Sequence, residues 1–183
     1  MNLNTLFKKH IAPVPNLIGM EIGVYKGANI PIFLKTKPAC LYLLDCWEKQ
    51  TGSYEQDILN NEDMVSAYNN VVKTFGDLPN IVIIQQYAHD ACSFFKDKYF
   101  DWIYFDADHS YNATLRELTD WYPKIKNGGW VCGHDYFQST DYPWVQCKRA
   151  IDEFATEYDG ELIVTTTDTY PNWAFKKEIS YGE

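Results

Sequence analysis

One short stretch decides the fold: residues 17–27 read LIGMEIGVYKG. The apolar run from Leu17 to Ile22 has the continuous pattern of a strand that is buried on both faces. It ends in an acid and two glycines, a composition typical of a turn from a strand into a helix. Glycines let a ligand approach the backbone closely, and the helix that follows begins with free N–H donors. The stretch therefore predicts a buried strand that ends in a binding turn.

The same turn does not fit a dinucleotide-binding pattern. That pattern places further glycines where Tyr25 and Ala28 stand in this chain. The sequence thus argues against NAD as a ligand, and a plain tight turn remains the structural alternative to a binding turn.

Similar apolar runs recur along the chain, separated by stretches long enough for helices. The further strands are expected at 40–44, 81–84, 102–105, 130–132, 161–166 and 173–177, and helices at 28–35, 63–75, 88–96, 111–124 and 145–158. The helix over 111–124 has Ser110 as its expected N-cap and Asn127-Gly128-Gly129 as its expected stop. The pattern predicts one α/β domain over residues 1–183, with a doubly wound, mostly parallel seven-stranded sheet and an antiparallel last strand.

Composition excludes several classes of partner. The 16 Lys and Arg residues face 25 Asp and Glu residues, for a net charge of −9, so no basic field attracts nucleic acid or an anionic membrane. No apolar run approaches the length of a membrane span or a signal peptide. Five scattered cysteines without a CxxC pair indicate reduced thiols. We therefore expect a cytoplasmic protein.

Polar side chains follow the predicted strands at the points where the strands end. Asp45 follows the second strand, where a carboxylate can accept two hydrogen bonds from a ribose diol or can simply cap a turn. Asp106, Asp108 and His109 follow the fourth strand, and His134 and Asp135 follow the fifth. Two acids and a histidine can hold a divalent ion, and a further histidine can accept a proton near neutral pH.

Taken in order, these motifs resemble those of class I S-adenosylmethionine-dependent methyltransferases. The residues that carry the resemblance are Glu21–Gly27, Asp45 with Trp47, Asp106–Tyr111, and Gly128-Gly129 leading into Gly133-His134-Asp135-Tyr136. They are most similar to a small-domain group with Asp-x-Asp-His-Ser-Tyr and Gly-His-Asp motifs. The resemblance spans most of the chain and implies a Rossmann-like methyltransferase fold and S-adenosylmethionine as the cofactor.

The resemblance also assigns contacts to the cofactor. Asp45 would bind the ribose, Trp47 would cover the adenosine, and Ala88 with His89 would lie near the adenine. The full set of cofactor-binding residues that it implies is Glu21, Gly23, Tyr25, Lys26, Gly27, Asp45, Trp47, Ala88, His89 and Asp106.

Metal-dependent O-methyltransferases that act on sugars and catechol-like phenols suggest roles for the acidic and histidine residues. By this resemblance Asp106, His134 and Asp135 would hold the metal, and His109 would be the general base, with Asp106 also catalytic. These enzymes carry an acid where His134 stands. Because Mg²⁺ prefers oxygen ligands, this histidine weakens the case for Mg²⁺, admits Mn²⁺, Fe²⁺ or Zn²⁺, and also allows a site without metal.

The expected function is therefore an S-adenosylmethionine-dependent methyltransferase (EC 2.1.1.-). It would methylate a hydroxyl of a small molecule or glycan with a metal, His109 or both. Aromatic residues in the loops after the second and fifth strands, Tyr54 and Tyr142 among them, can stack on such an acceptor. A metal-dependent hydrolase built on the same Asp/His group and a non-catalytic, cofactor-binding partner subunit are the alternatives. A homo-oligomer is compatible with the sequence.

Overall fold

A computed structural model describes residues 1–48, 61–138, 141 and 143–178, and its centre is a seven-stranded sheet. The strands are β1 (Ile18–Ile22), β2 (Cys40–Asp45), β3 (Ile81–Gln85), β4 (Phe100–Phe105), β5 (Ile125–Gly133), β6 (Ile163–Val164) and β7 (Trp173–Lys176). Their spatial order is β3-β2-β1-β4-β5-β7-β6. Strands β1 to β5 run parallel, and β7 pairs antiparallel with both of its neighbours. The predicted fold class is confirmed.

The register of the parallel strands places their carboxyl ends at one edge of the sheet. Ile22 at the end of β1 lies beside Leu44 on one side and Phe105 on the other. Phe105 in turn pairs with Gly133 at the end of β5. The sheet order reverses between β1 and β4, which opens a crevice where the loops after these strands diverge. The polar residues that follow the strands are therefore brought to one place.

The connecting helices lie close to their predicted positions. They are α1 (Leu3–Leu6), α2 (Ile30–Leu34), α3 (Asn61–Phe75), α4 (Ala88–Ala91), α5 (Tyr111–Trp121) and α6 (Cys147–Glu157). A π-helical turn over Phe7–Ile11 continues α1, and 3₁₀ turns follow α4 and α5. The sequence did not predict α1, because four residues are too few to show a helical period.

The start of α5 is confirmed, and its predicted end is wrong. Ser110 caps the helix by accepting a hydrogen bond from the Ala113 N–H at 3.4 Å. The helix stops at Trp121, and a 3₁₀ turn containing Pro123 follows it. Asn127-Gly128-Gly129 lies inside β5, where the pairing with β4 is irregular between Phe100 and Trp102. These glycines therefore lie in an irregular part of β5 and do not end a helix.

Two apolar cores lie on the two faces of the sheet, as the alternation along β4 shows. Trp102 and Tyr104 belong to one core and Ile103 and Phe105 to the other. This two-sided burial explains the continuous apolar pattern of the strand. All five cysteines are free thiols. Among the described residues, no helix is long and apolar enough to cross a membrane.

Candidate functional site

A cleft of about 620 Å³ opens at the carboxyl edge of the sheet. This volume lies within the range for small-molecule sites in proteins, which is roughly 300–1,000 Å³. The cleft lies between the loops that follow β1 to β4, and one face of α5 closes its side. The lining residues are 22–26, 28, 29, 44–46, 48, 64, 86–89, 106–109, 113, 116, 117 and 120.

The turn after β1 lines this cleft with Gly23, Tyr25 and Lys26, which the resemblance assigns to cofactor binding. Gly23 has φ +88°, and a Cβ atom there would lie 2.2 Å from the carbonyl oxygen of Asp106. Position 23 therefore requires glycine, because the turn approaches the loop after β4 too closely for a side chain. Gly27 does not line the cleft, because it packs against α2 and α3, where a Cβ would meet Ile30 at 2.8 Å. Gly27 therefore has a packing role, and its position does not support the cofactor contact predicted for it.

Asp45 faces the cleft and also holds the surrounding backbone. Its Oδ2 accepts a hydrogen bond from the Tyr25 N–H at 2.8 Å, and its Oδ1 accepts one from the Trp47 N–H at 2.7 Å. Burial raises the pKa of Asp45, and the backbone hydrogen bonds oppose that shift. Val24 and Cys46 are further hydrogen-bond partners of this carboxylate. Asp45 therefore caps this turn, and its side chain belongs to a residue that lines the cleft.

Trp47 does not cover the cleft, which corrects the prediction made for it. Its side chain is buried behind the loop, packs on Tyr68 and donates its Nε1–H to the Tyr25 carbonyl oxygen at 2.9 Å. The backbone at Trp47 has φ +46°, and this conformation accompanies an inward-facing side chain. An aromatic wall comes instead from Tyr87, which is 40% exposed and donates its hydroxyl hydrogen to Glu48 at 2.8 Å.

The loop after β3 and the C-terminal half of α5 form one end of the cleft. Ala88 and His89, which the resemblance assigns to the adenine, line it. His89 Nδ1 lies 2.9 Å from Asp120 Oδ2, and Trp121 donates its Nε1–H to the Ala88 carbonyl oxygen at 3.2 Å. These contacts join α4 to α5 and define the outer wall.

Four side chains form a closed ring at the other end of the cleft. His109 bridges the two carboxylates, with Nε2 3.5 Å from Asp106 Oδ1 and Nδ1 3.3 Å from Asp135 Oδ2. His134 bridges the same pair, with Nδ1 3.4 Å from Asp106 Oδ1 and 3.1 Å from Asp135 Oδ1. Only 12–29% of the surface of each side chain is exposed. We call these four residues the carboxylate–histidine ring.

The ring is strongly coupled electrostatically. Burial alone would raise the pKa of Asp106, but contacts with His109 and His134 outweigh it and hold the pKa below its usual value. Burial alone would lower the pKa of His134, yet Asp106 and Asp135 raise it to about 10. Asp135 itself has φ +54°, a conformation that Asp tolerates better than most residues. Local backbone strain of this kind is common where side chains are aimed at a ligand.

Three members of the ring also have the geometry of a metal site. Asp106, His134 and Asp135 each offer one ligand atom, and these atoms lie within 4.8 Å of one another. Two carboxylate oxygens and one imidazole nitrogen suit Mn²⁺, Fe²⁺ or Zn²⁺ better than Mg²⁺. The residues that the sequence proposed as ligands are thus brought together, with His109 against the same carboxylates.

Two further residues of the cleft had no predicted role. The Asn29 amide nitrogen donates to Glu21 Oε1 and to Asp106 Oδ2, each at 3.0 Å. Glu21 is 1% exposed, and burial raises its pKa well above the usual value. Glu21 therefore reaches the cleft only through Asn29, and it is not itself a lining residue.

Glu117 is the second residue without a predicted role. It is partly buried on α5, and burial together with the charge of Asp108 raises its pKa to about 8. It follows Ala113 by four residues and precedes Asp120 by three, so helical spacing on α5 was the signal that could have found it. Tyr54 and Tyr142, which were expected to stack on an acceptor, lie outside the described residues.

A family model described as a methyltransferase domain matches residues 20–136, well over half of the chain. No curated protein matches the chain in sequence. Spermidine synthase from Thermotoga maritima is 17% identical, with a TM-score of 0.62 over 92% of this chain and 55% of that one, so the chain spans about half of that enzyme's length.

Two solved methyltransferase structures are also similar. The O-methyltransferase NovP is 19% identical, with a TM-score of 0.59 over 91% of this chain and 74% of that one. A SAM-dependent methyltransferase from Aquifex aeolicus is 14% identical, with a TM-score of 0.62 over 91% of this chain and 84% of that one. At these identities the structural likeness establishes the fold.

Proposed function

Because this chain belongs to the methyltransferase domain family, we propose that it transfers a methyl group from S-adenosylmethionine to a hydroxyl oxygen of a small molecule or a glycan. Family membership implies S-adenosylmethionine as the methyl donor. The acceptor, the transfer to oxygen and the assistance by a metal are our proposals.

One observation carries the proposal: Asp106 and His109 of the carboxylate–histidine ring line the cleft of about 620 Å³, a volume typical of small-molecule sites. Asp45 and the Gly23 turn lie along the cleft, and Asp106 belongs to both the cleft wall and the ring. A methyl group held between the Gly23 turn and the ring would lie next to Asp106 and His109. This arrangement supports a reaction in which the ring acts on the acceptor and not on the cofactor's nucleoside.

The ring supplies what methyl transfer to a hydroxyl needs. Transfer from a sulfonium is an in-line displacement, so the acceptor oxygen must be oriented toward the methyl group and must lose its proton. We assign the role of accepting that proton to His109, which lies between two carboxylates. Asp106, His134 and Asp135 would hold a divalent ion, which when bound lowers the pKa of a nearby hydroxyl. The negative charge of the cleft also favours a cationic cofactor.

A second hollow of about 450 Å³ supports an acceptor site beside the ring. It lies between the segment after β5 and the start of α6, and Phe137, Val145, Gln146 and Arg149 are among its lining residues. The Gln146 N–H donates to the His109 carbonyl oxygen at 2.8 Å, so one wall of this hollow is joined to the backbone of a ring residue. An aromatic ring next to amide and guanidinium donors suits a polar ring compound such as a sugar.

The proposal is tested first by cofactor binding and then by transfer. Calorimetry with S-adenosylhomocysteine should show binding, and its absence would refute the cofactor assignment. Radiolabelled S-adenosylmethionine should then label members of a panel of sugar nucleotides and phenols. His109→Ala should lower turnover by about 10²–10⁴-fold, the usual range for loss of a general base. Asn112→Ala, an exposed substitution on α5, serves as the matched control.

Chelation separates the metal-assisted reaction from one that uses His109 alone. If a metal takes part, a chelator should stop turnover, and Asp106→Ala and Asp135→Ala should behave like the chelated protein. If His109 acts alone, the chelator should have no effect. Full activity in Asp106→Ala, Asp135→Ala and His109→Ala would refute a role for the ring both with a metal and without one. Hydrolysis of a panel substrate without S-adenosylmethionine would instead support a hydrolase.

A further inference from the structure

Asn29 joins the turn after β1 to the carboxylate–histidine ring. We propose that Asn29 is a positioning residue. Its amide fixes the orientation of the Asp106 carboxylate, so that one oxygen faces the ring histidines, and it ties that carboxylate to Glu21 near the end of β1. The chemical consequence rests on the proposed function, whereas the positioning itself rests on contacts within the protein.

The Asn29 side chain stands where a helix cap is expected, yet it does not cap the helix. Asn is a preferred residue immediately before a helix because its side-chain oxygen accepts from a free N–H. Asn29 precedes α2 without such a hydrogen bond, and its backbone is already helical, with φ −85° and ψ −22°. Its amide is therefore directed to other partners. An alanine at this position would take no capping contact away from α2.

The two oxygens of Asp106 have separate partners. Oδ2 accepts the Asn29 amide at 3.0 Å, while Oδ1 lies 3.5 Å from His109 Nε2 and 3.4 Å from His134 Nδ1. The shorter and better defined contact is the one to Asn29. By engaging Oδ2, Asn29 restricts rotation of the carboxylate and leaves Oδ1 directed into the ring. Without it, the carboxylate is free to turn about its last torsion, which has a broad energy profile.

Glu21 anchors the other side of Asn29. Its Oε1 accepts the same amide nitrogen at 3.0 Å, and the residue is 1% exposed. Within the described residues, its Oε2 is buried and accepts no hydrogen bond. One amide thus serves two neighbouring carboxylates, one at the end of β1 and one at the end of β4. Removing a shared donor would leave both of these oxygens without it, which is the costly case for buried polar groups.

Imidazole spectra test the positioning without any ligand. The chain has four histidines: His109 and His134 in the ring, and His10 and His89 outside it. In ¹H–¹⁵N spectra of the full chain at one pH, Asn29→Ala should shift the two ring signals and leave the other two unchanged. Asn112→Ala should leave all four unchanged. Ring signals that do not move in folded Asn29→Ala would overturn the proposal. If that variant fails to fold, Asn29→Ser, which is too short to span both carboxylates, makes the same comparison.

Metal binding gives an independent readout. Residues that orient a ligand typically change metal affinity by about 10–100-fold when they are removed. Titration with Mn²⁺, followed by electron paramagnetic resonance, should show a loss of that size in Asn29→Ala and none in Asn112→Ala. Equal Mn²⁺ affinity in the wild type and Asn29→Ala would contradict the proposal. A wild type that binds no Mn²⁺ would refute the metal part of the proposed function, and the imidazole spectra would then decide the role of Asn29.

Discussion

Replacing Glu117 by Gln is expected to stabilise the folded chain by an amount that grows with pH. Glu117 faces the cleft from α5, and within the described residues no hydrogen bond to its carboxyl group is found. Burial, followed by the charge of Asp108, raises its pKa from 4.5 to about 8. Gln has nearly the same shape and cannot ionise. The substitution therefore removes the free-energy cost of ionising a carboxyl group at the cleft wall that α5 forms, and it changes little else.

The stability difference grows with pH because the folded and unfolded chains release the Glu117 proton at different pH values. The unfolded chain releases it near pH 4.5, while the folded chain keeps it until about pH 8. Between these values the folded state binds more protons, so the free energy of unfolding falls as pH rises and levels off above the folded-state pKa. The full shift corresponds to about 4–5 kcal/mol at ~1.4 kcal/mol per pKa unit. Solvent at this partly exposed group reduces it to roughly 2–3 kcal/mol.

Urea denaturation followed by circular dichroism, at several pH values across this window, measures the effect. The stability difference between Glu117→Gln and the wild type should be near zero at the acidic end and greatest near pH 8. Glu157→Gln, an exposed substitution at the end of α6, is the matched control and should show no such growth. A difference for Glu117→Gln that stays constant with pH would refute the reasoning.

Two further substitutions test the cleft. Asp45→Asn should weaken S-adenosylhomocysteine binding by roughly 10–100-fold in calorimetry, the range for losing a charge-assisted hydrogen bond. Unchanged affinity would remove Asp45 from the binding site. Gly23→Ala should destabilise the fold by roughly 3–5 kcal/mol in urea denaturation, because its Cβ would lie 2.2 Å from the Asp106 carbonyl oxygen at a positive φ. Wild-type stability with lost cofactor binding would instead make Gly23 a purely ligand-facing residue.

The sheet and the carboxylate–histidine ring could be predicted from the sequence for a simple physical reason. Strands buried on both faces need continuous apolar residues, and β4 shows this directly, with Trp102 and Ile103 on opposite faces. Parallel strands also end at the same edge of the sheet. Acids and histidines placed just after β4 and β5 therefore had to meet, whatever the details of their loops.

The direction of a loop side chain could not be predicted in the same way. Trp47 and Gly27 both stand in motifs that suggested ligand contacts, yet one packs behind its loop and the other against α3. That outcome depends on backbone angles, such as φ +46° at Trp47, which residue spacing does not specify. Asn29 and Glu117 were missed because their importance arises from partners distant in the chain, Asp106 for the first and the cleft itself for the second.

The reversal of the sheet order between β1 and β4 divides the cleft along the chain. The turns after β1, β2 and β3 belong to residues 18–89, and the ring belongs to residues 106–135. Genetic recombination within the connection between β3 and β4 would therefore join the first three strand-end loops of one such protein to the ring of another. Several contacts cross that junction within the site, among them Asn29 with Asp106, the close approach of Gly23 to the Asp106 carbonyl oxygen, Ala88 with Trp121, and His89 with Asp120. A chimera that matches these contacts would keep the cleft, and under the proposed function it would combine one parent's donor site with the other parent's acceptor site.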